Sequence, residues 1–443
     1  MKIKKLYLRD FKGISELELD LEGKSTILFG VNGVGKSTVL RGIDLLYANI
    51  LWRLTKSKKK LADLEFDDLS YGKSTAVTMA AFEFPDGTLI SYNRSIGMES
   101  GKKHNGQNLN KIVNKFEDLY ITKGYEDEDG NWIQEADMKN MPVFVNYGVN
   151  RLVLDVPVEV TDKNLFDKLS AFDKAIESKI DFKKLFEWFR GQEDIENQER
   201  ARIDADYEDK SLKAVKRAMM AMFDDFDDIH IERNPLAMMV RKDGQTLNIN
   251  QLSDGEKCTI ALFGDLARRM ALANPSMPNP LEGEGVVLID EIDLHMHPSW
   301  QRKVMGVLKK TFPNIQFIVT THSPQVLGEL NEDYNIFVLY HQDKCIVGRK
   351  YDSFIGWDSN VLLEEVMGTP SVNLSVREQV RRMNECIEVK DYDTAEMIAD
   401  ELDKKTRGYA AGVSRARVLI ARGRRSEKSN ERNSSAMVRR LEE

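Results

Sequence analysis

The stretch "GVNGVGKST", Gly30 to Thr38, decides the fold. It has the form G-x-x-x-x-G-K-[ST]. The buried-type run "STILF" precedes it, and "KSTVLRGIDLLYANIL", with its helical spacing of apolar residues, follows. A turn of this composition between a strand and a helix is a cradle for phosphate. Its glycines let the backbone wrap closely, its N–H groups point inward, and the helix N-terminus adds the positive end of a dipole. Gly30, Asn32, Gly33, Gly35, Lys36, Ser37 and Thr38 are the candidate nucleotide contacts. Lys36 is expected on the β- and γ-phosphates and Ser37 on Mg²⁺, so the expected ligands are ATP and Mg²⁺.

Three later stretches supply what a phosphate loop needs to do chemistry. In "GVVLIDEIDLHMHP", Gly285 to Pro298, five residues form an apolar strand and Asp290 emerges at its end, where it orients Mg²⁺ through water. Glu291 beside it is placed to act as general base on the attacking water. The bland reading, a core strand ending in ordinary surface acids, loses to the phosphate loop upstream. His295 and His297 alternate as metal ligands sometimes do, but no further ligand clusters near them, so they are read as structural. In "FIVTTHSP", Phe317 to Pro324, a third strand ends in His322, the expected γ-phosphate sensor. Between these and the phosphate loop lies "LSDGEK", Leu252 to Lys257, a Ser-x-Gly turn opening a helix 217 residues after Lys36.

Composition bounds the rest. A chain of 443 residues, 42% hydrophobic and 31% charged, describes a folded protein with a large core in two or three domains. The opening "MKIKKLYLRDFKGI" lacks the apolar core of a signal peptide, and no run approaches the length of a membrane helix. Three widely spaced cysteines fit a reducing compartment. The expectation is a cytoplasmic protein with no membrane partner. Net charge is −8, yet Lys404–Glu443 holds twelve Lys or Arg against four Glu. That asymmetry points to a polyanion or acidic partner, against the plainer reading of a solvated helix and a frayed tail.

Alternating strands and helices predict an α/β protein with a mostly parallel sheet covered on both faces. The segment from Ser74 to Ile96 reads as a hairpin through "FPDGT", and "YEDEDGNW" as an acidic turn. "LAMMVRKDGQTLNI" is a second hairpin around Lys242-Asp243-Gly244. The expected division is an N-terminal ATPase lobe over 1–160, a helical arm or lid over 161–226, a C-terminal lobe over 227–355, and a helical module with basic tail over 356–443.

A phosphate loop, a Ser-x-Gly turn, an Asp-Glu strand and a terminal histidine, in that order, resemble the ABC-type ATPases over roughly residues 1–350. That resemblance implies a head-to-tail pair, or a higher oligomer, in which the signature turn of one subunit closes on the nucleotide of the other. Ser253 and Gly255 would then contact the γ-phosphate in trans, and Asp293 would reach across the interface. The wide spacing and "LYLRDFKGI" are similar to the RecF, SMC and OLD-like branch. The branch's glutamine loop has no clear counterpart; "NYGVNR" occupies its place, with Asn146 or Asn150 substituting.

"MPVFVNYGVNR", "FEWFRGQEDIENQ", "LIDEIDLHMHPSWQ" and "MNECIEVKDYDTAEMIADEL" together resemble the PtuA ATPases of Septu-type and retron-associated antiphage defence. Members of that family work with a separate HNH endonuclease, PtuB. The resemblance implies an ATPase that regulates or scaffolds that nuclease, with the C-terminal helices as its docking module. Two other readings stay open: a RecF-type DNA-repair clamp, and a nucleotide-locked scaffold with little turnover.

Overall fold

A computed structural model describes residues 1–56, 62–97, 103–106, 108–121, 125–126, 132–133, 139–151, 168–343, 345–370, 373–410 and 412–426. The chain divides into two compact units, Met1–Ser359 and Asn360–Glu443.

The first unit begins with β1 (Lys2–Phe11), β2 (Ile14–Asp20), β3 (Ser25–Phe29) and α1 (Lys36–Leu54). The hairpin β4 (Thr75–Glu83) and β5 (Leu89–Gly97) follows as the sequence predicts, then β6 (Lys103–Asn105) and α2 (Leu109–Tyr120). Short strands β7 (Tyr125–Glu126) and β8 (Trp132–Ile133) pair antiparallel; the acidic turn between them lies outside the described residues. β9 (Val143–Tyr147), α3 (Phe182–Arg202) and α4 (Lys210–Met220) lead to a three-stranded meander, β10 (Phe226–Arg233), β11 (Leu236–Lys242) and β12 (Gln245–Asn248). Then come α5 (Asp254–Ala273), β13 (Gly285–Ile289), α6 (Pro298–Thr311), β14 (Ile315–Thr321), α7 (Pro324–Leu327), β15 (Tyr334–Gln342) and β16 (Cys345–Tyr351).

Six strands form the central sheet in the order β16-β15-β3-β14-β13-β9. All neighbours run parallel except β16, which closes one edge antiparallel to β15. β3, β9, β13 and β14 are buried along their whole lengths, which is why they read as continuous apolar runs rather than alternating ones. Their register brings Phe29, Tyr147, Ile289 and Thr321 to one end of the sheet. Loops leaving the carboxyl ends of parallel strands are where such sheets bind ligands.

One layer differs from the expectation of helices on both faces. β1 and β2 join the hairpin in a separate antiparallel sheet, β2-β1-β4-β5-β6, and α1 packs against it. Thr78 donates to the Gly42 carbonyl at 3.0 Å, and Arg94 to that of Leu45 at 2.8 Å. The helices expected as an arm are also packed within the first unit. Phe182, Leu185, Phe186 and Phe189 form a buried stripe at helical spacing on α3, and α4, which buries Leu212, Val215 and Met219, packs against α5. Residues 161–167 of that segment lie outside the described residues.

α5 is buried on nearly every side. Its Asp265 takes 2.7 Å hydrogen bonds from both Arg268 and Arg269 and one at 2.8 Å from the Tyr147 hydroxyl, tying the helix to β9. Those charge-assisted bonds hold the Asp265 carboxyl well below the usual range despite complete burial.

The second unit starts within the short turn α8 (Ser359–Val361). Its helices are α9 (Leu374–Glu388), α10 (Tyr392–Thr406) and α11 (residues 413–426). They bury Met383, Ala395, Ile398, Ala399, Leu402, Val413, Ala416 and Ile420 in a core of their own. The basic tail beyond residue 426 lies outside the described residues. Among the described residues, no helix is long and apolar enough to cross a membrane.

Candidate active site

The turn after β3 carries Gly30, Gly33 and Gly35 at positive φ, with Gly35 (φ 84°) as the residue before α1. A side chain at Gly35 would be strained by that φ and would lie 3.0 Å from Ile346, so the helix start that faces the turn depends on glycine. Lys36 is 7% exposed, and its ammonium donates to the carbonyls of Gly30 at 2.7 Å and Val31 at 3.0 Å. Burial pushes its pKa down, while Glu291, Asp290 and Asp293 oppose that shift. A desolvated cation inside a turn of inward N–H groups fits a polyphosphate. Asn32 is exposed on the same turn, and Thr38 follows Ser37 in the first turn of α1.

The acid strand meets that turn from across the sheet. Ser37 Oγ donates to Asp290 Oδ1 at 3.0 Å, and Thr320 Oγ1 donates to the same oxygen at 2.5 Å. A hydroxyl and a carboxylate side by side are the hard oxygen donors that Mg²⁺ takes, so the residues fit the ion implied by the sequence. Glu291 follows with φ 48°, in the left-handed region that a glutamate rarely occupies. Both of its backbone polar groups are pinned: Thr320 Oγ1 accepts from its N–H at 2.8 Å, and Arg151 Nη2 donates to its carbonyl at 2.6 Å. Strain held in this way belongs to sites where geometry is functional.

Asp293 is the residue expected to reach across to a second subunit. Its carboxylate is 5% exposed, accepts from Thr321 Oγ1 at 2.5 Å, and lies 3.6 Å from His322 Nε2. A buried carboxylate needs donors, and in this conformation its own chain supplies them. His322 remains partly exposed at the end of β14. His297 caps α6 by accepting from the Ser299 N–H, a structural role. Among the described residues, no group of three or more His, Cys, Asp or Glu is arranged to hold a metal ion.

The glutamine-loop position also resolves differently. Asn146 is buried in β9 and donates to Ser178 Oγ at 3.1 Å, and Asn150 is exposed. Among the described residues of this loop, Arg151 reaches the residue after the acid strand, donating to the Glu291 carbonyl. Sequence reading passed over Arg151 and Thr320, although "NYGVNR" and "IVTTHSP" both displayed them.

Lys36, Ser37, Asp290, Glu291, Asp293 and His322 thus converge. Ser253 and Gly255 do not join them through any hydrogen bond among the described residues. Ser253 starts α5 and exchanges a capping box with Glu256: Ser253 Oγ donates to Glu256 Oε2 at 2.7 Å and accepts from the Glu256 N–H at 3.3 Å. Burial would raise the Glu256 pKa, but bonds from Lys242 and Ser253 bring it below its ordinary value. Gly255 lies against the backbone after the acid strand, where a Cβ would stand 2.3 Å from the His295 carbonyl oxygen.

Two family models match: "AAA domain" over residues 5–220, and "AAA domain, putative AbiEii toxin, Type IV TA system" over residues 163–328. The chain is 30% identical over 412 residues to the retron Ec83 probable ATPase of Escherichia coli, covering 78% of this chain and 72% of that protein. It is 24% identical over 386 residues to the Septu protein PtuA of Bacillus thuringiensis, covering 83% and 84% respectively. Among solved structures it is similar to an SMC head bound to the C-terminal winged-helix domain of ScpA, at 17% identity and a TM-score of 0.47, covering 80% of this chain and 98% of that one. The SMC head from Thermotoga maritima gives a TM-score of 0.42 at 16% identity, covering 79% and 99%. The chain belongs to the family of ABC-type ATPases that includes Septu PtuA and the retron ATPases, and it is a nucleotide-binding ATPase.

Proposed function

We propose that this chain is the ATPase subunit of an antiphage defence complex, acting as a head-to-tail pair that regulates or scaffolds a separate HNH endonuclease of PtuB type. The observation that carries the reading is an imbalance within one chain. The phosphate turn, acid strand and His322 converge, while among the described residues the Ser253 side chain at the signature turn bonds only to Glu256, three residues on. A second copy gives that turn a nucleotide to close on, and the family resemblance supplies the defence setting.

In this reading Lys36 holds the β- and γ-phosphates, and Ser37 and Asp290 hold Mg²⁺, which supplies Lewis-acid charge neutralisation when bound. Glu291 accepts the proton of the attacking water, oriented by its pinned backbone. His322, backed by Asp293, presents its imidazole to the γ-phosphate. Ser253, Gly255 and the N-terminus of α5 approach from the second copy, where the helix dipole favours the anion. The three-helix unit after Ser359 is the docking module for the nuclease.

The test is the native mass and composition of tagged protein purified after expression with its flanking genes. A stable complex containing an HNH protein, with phage protection lost on Lys36→Ala, is expected. A homodimer alone, tightening with ATP and gripping DNA in a salt-sensitive way, would replace this reading with the DNA clamp.

A further inference from the structure

We propose that Arg151 is a positioning residue for ATP hydrolysis, tying the signature helix to the backbone of Glu291. The inference rests on the reading of Glu291 as general base.

Arg151 sits four residues beyond β9, the neighbour of β13 in the sheet. It is 4% exposed, which is costly for a cation unless its position is used. Its Nη2 donates to the Glu291 carbonyl at 2.6 Å, and its Nη1 has no hydrogen-bond partner among the described residues. Burial disfavours the charged guanidinium, while the nearby Asp290, Asp293 and Glu291 carboxylates favour it. The Arg151 carbonyl accepts from Cys258 Sγ at 3.6 Å, one turn into α5 and five residues after Ser253. A single residue thus touches the helix that carries the signature and the peptide that aims the base.

The consequence is local and geometric. Glu291 keeps φ 48° with its N–H held by Thr320 Oγ1 and its carbonyl shared between Arg151 Nη2 and the Leu294 N–H at 2.9 Å, so among the described residues Arg151 supplies the side-chain donor on that carbonyl. Without Arg151 the Glu291 carbonyl keeps the Leu294 N–H and the Ile292 N–H keeps the Thr320 carbonyl at 3.0 Å, but the buried side-chain brace is lost and the carboxylate shifts from the line of attack. Nucleotide contacts at Lys36 and Ser37 do not pass through Arg151, so binding and turnover separate. A misplacement of about 1 Å costs on the order of 10²-fold in rate.

The experiment is a double-mutant cycle of Arg151→Ala and Glu291→Gln, measured as single-turnover hydrolysis and as ATP affinity. Arg151→Ala should lower the rate by about 10- to 100-fold with affinity within about threefold of wild type. In the Glu291→Gln background it should add nothing further, because it acts through that residue. Arg151→Lys keeps a buried cation with one donor and should fall between, which covers the case of an Ala variant that does not fold. Full multiplication of the two losses, or a fall in affinity that tracks the fall in rate, would overturn the proposal. Wild-type turnover in Arg151→Ala alone would overturn it while leaving the base intact. Wild-type turnover in Glu291→Gln would remove the base reading itself, and the proposal with it.

Discussion

The phosphate end of the sheet and the signature turn make an instructive pair. At the sheet end, side chains from distant elements are locked on one another: Ser37 and Thr320 on Asp290, Arg151 and Thr320 on the backbone of Glu291, Thr321 on Asp293. At the signature turn, Ser253 bonds to a residue three positions away and Gly255 packs on the His295 carbonyl. The first region holds its charged groups in place through these bonds, the preorganisation that stabilising developing charge requires. The second is a capped helix start whose Ser253 side chain has only Glu256 as a partner among the described residues, which is what the proposed second copy would complete.

The comparison can be broken most severely at Lys36. Lys36→Ala should abolish measurable ATP binding, a loss of about 10²-fold or more in affinity, read by nucleotide titration. Glu291→Gln should cut turnover by about 10²- to 10⁴-fold while ATP still binds, read by phosphate release against equilibrium binding. Ser253→Arg should suppress turnover and leave ATP binding to the isolated subunit unchanged. Ser253 also caps α5, so Ser253→Ala, which loses the same cap at about 1 kcal/mol without added bulk, is the control for stability.

The smallest expected effect concerns pH and sharpens the first region alone. Asp44, buried on α1 between Arg41 and Asn146, has its pKa raised by burial to about 7. Between the unfolded value near 4 and that folded value, the folded chain holds a proton that the unfolded chain releases. Stability should therefore fall as pH rises from about 4 to 7, by on the order of a few kcal/mol in total. Asp44→Asn should flatten that slope in thermal melts across the same range. An unchanged slope would place the titration elsewhere.

What the sequence disclosed follows from how far apart the interacting residues lie. The phosphate turn, the acid strand and the Ser-x-Gly turn that opens α5 are contiguous motifs, and each was legible as it stood. The buried stripe on α3 was visible in its spacing, but not that it packs within the same unit as the ATPase sheets. The antiparallel sheet under α1 was hidden because β1 and β4 lie some seventy residues apart and their pairing is a tertiary fact. Arg151 stood in "NYGVNR", but its role was hidden for the same reason: its bond to Glu291 spans 140 residues. Asp44 left a faint signal, one acid among the apolar residues of "GIDLL".

The central claim is that one active site is divided between two molecules, and mixing two inactive variants tests it most directly. Lys36→Ala keeps an intact signature turn, and Ser253→Arg keeps an intact phosphate turn. Each alone should be silent, and equal mixtures should recover about a quarter of wild-type turnover, since half the pairs are mixed and each holds one whole site. Mixed pairs that form but remain silent at every ratio would contradict the account.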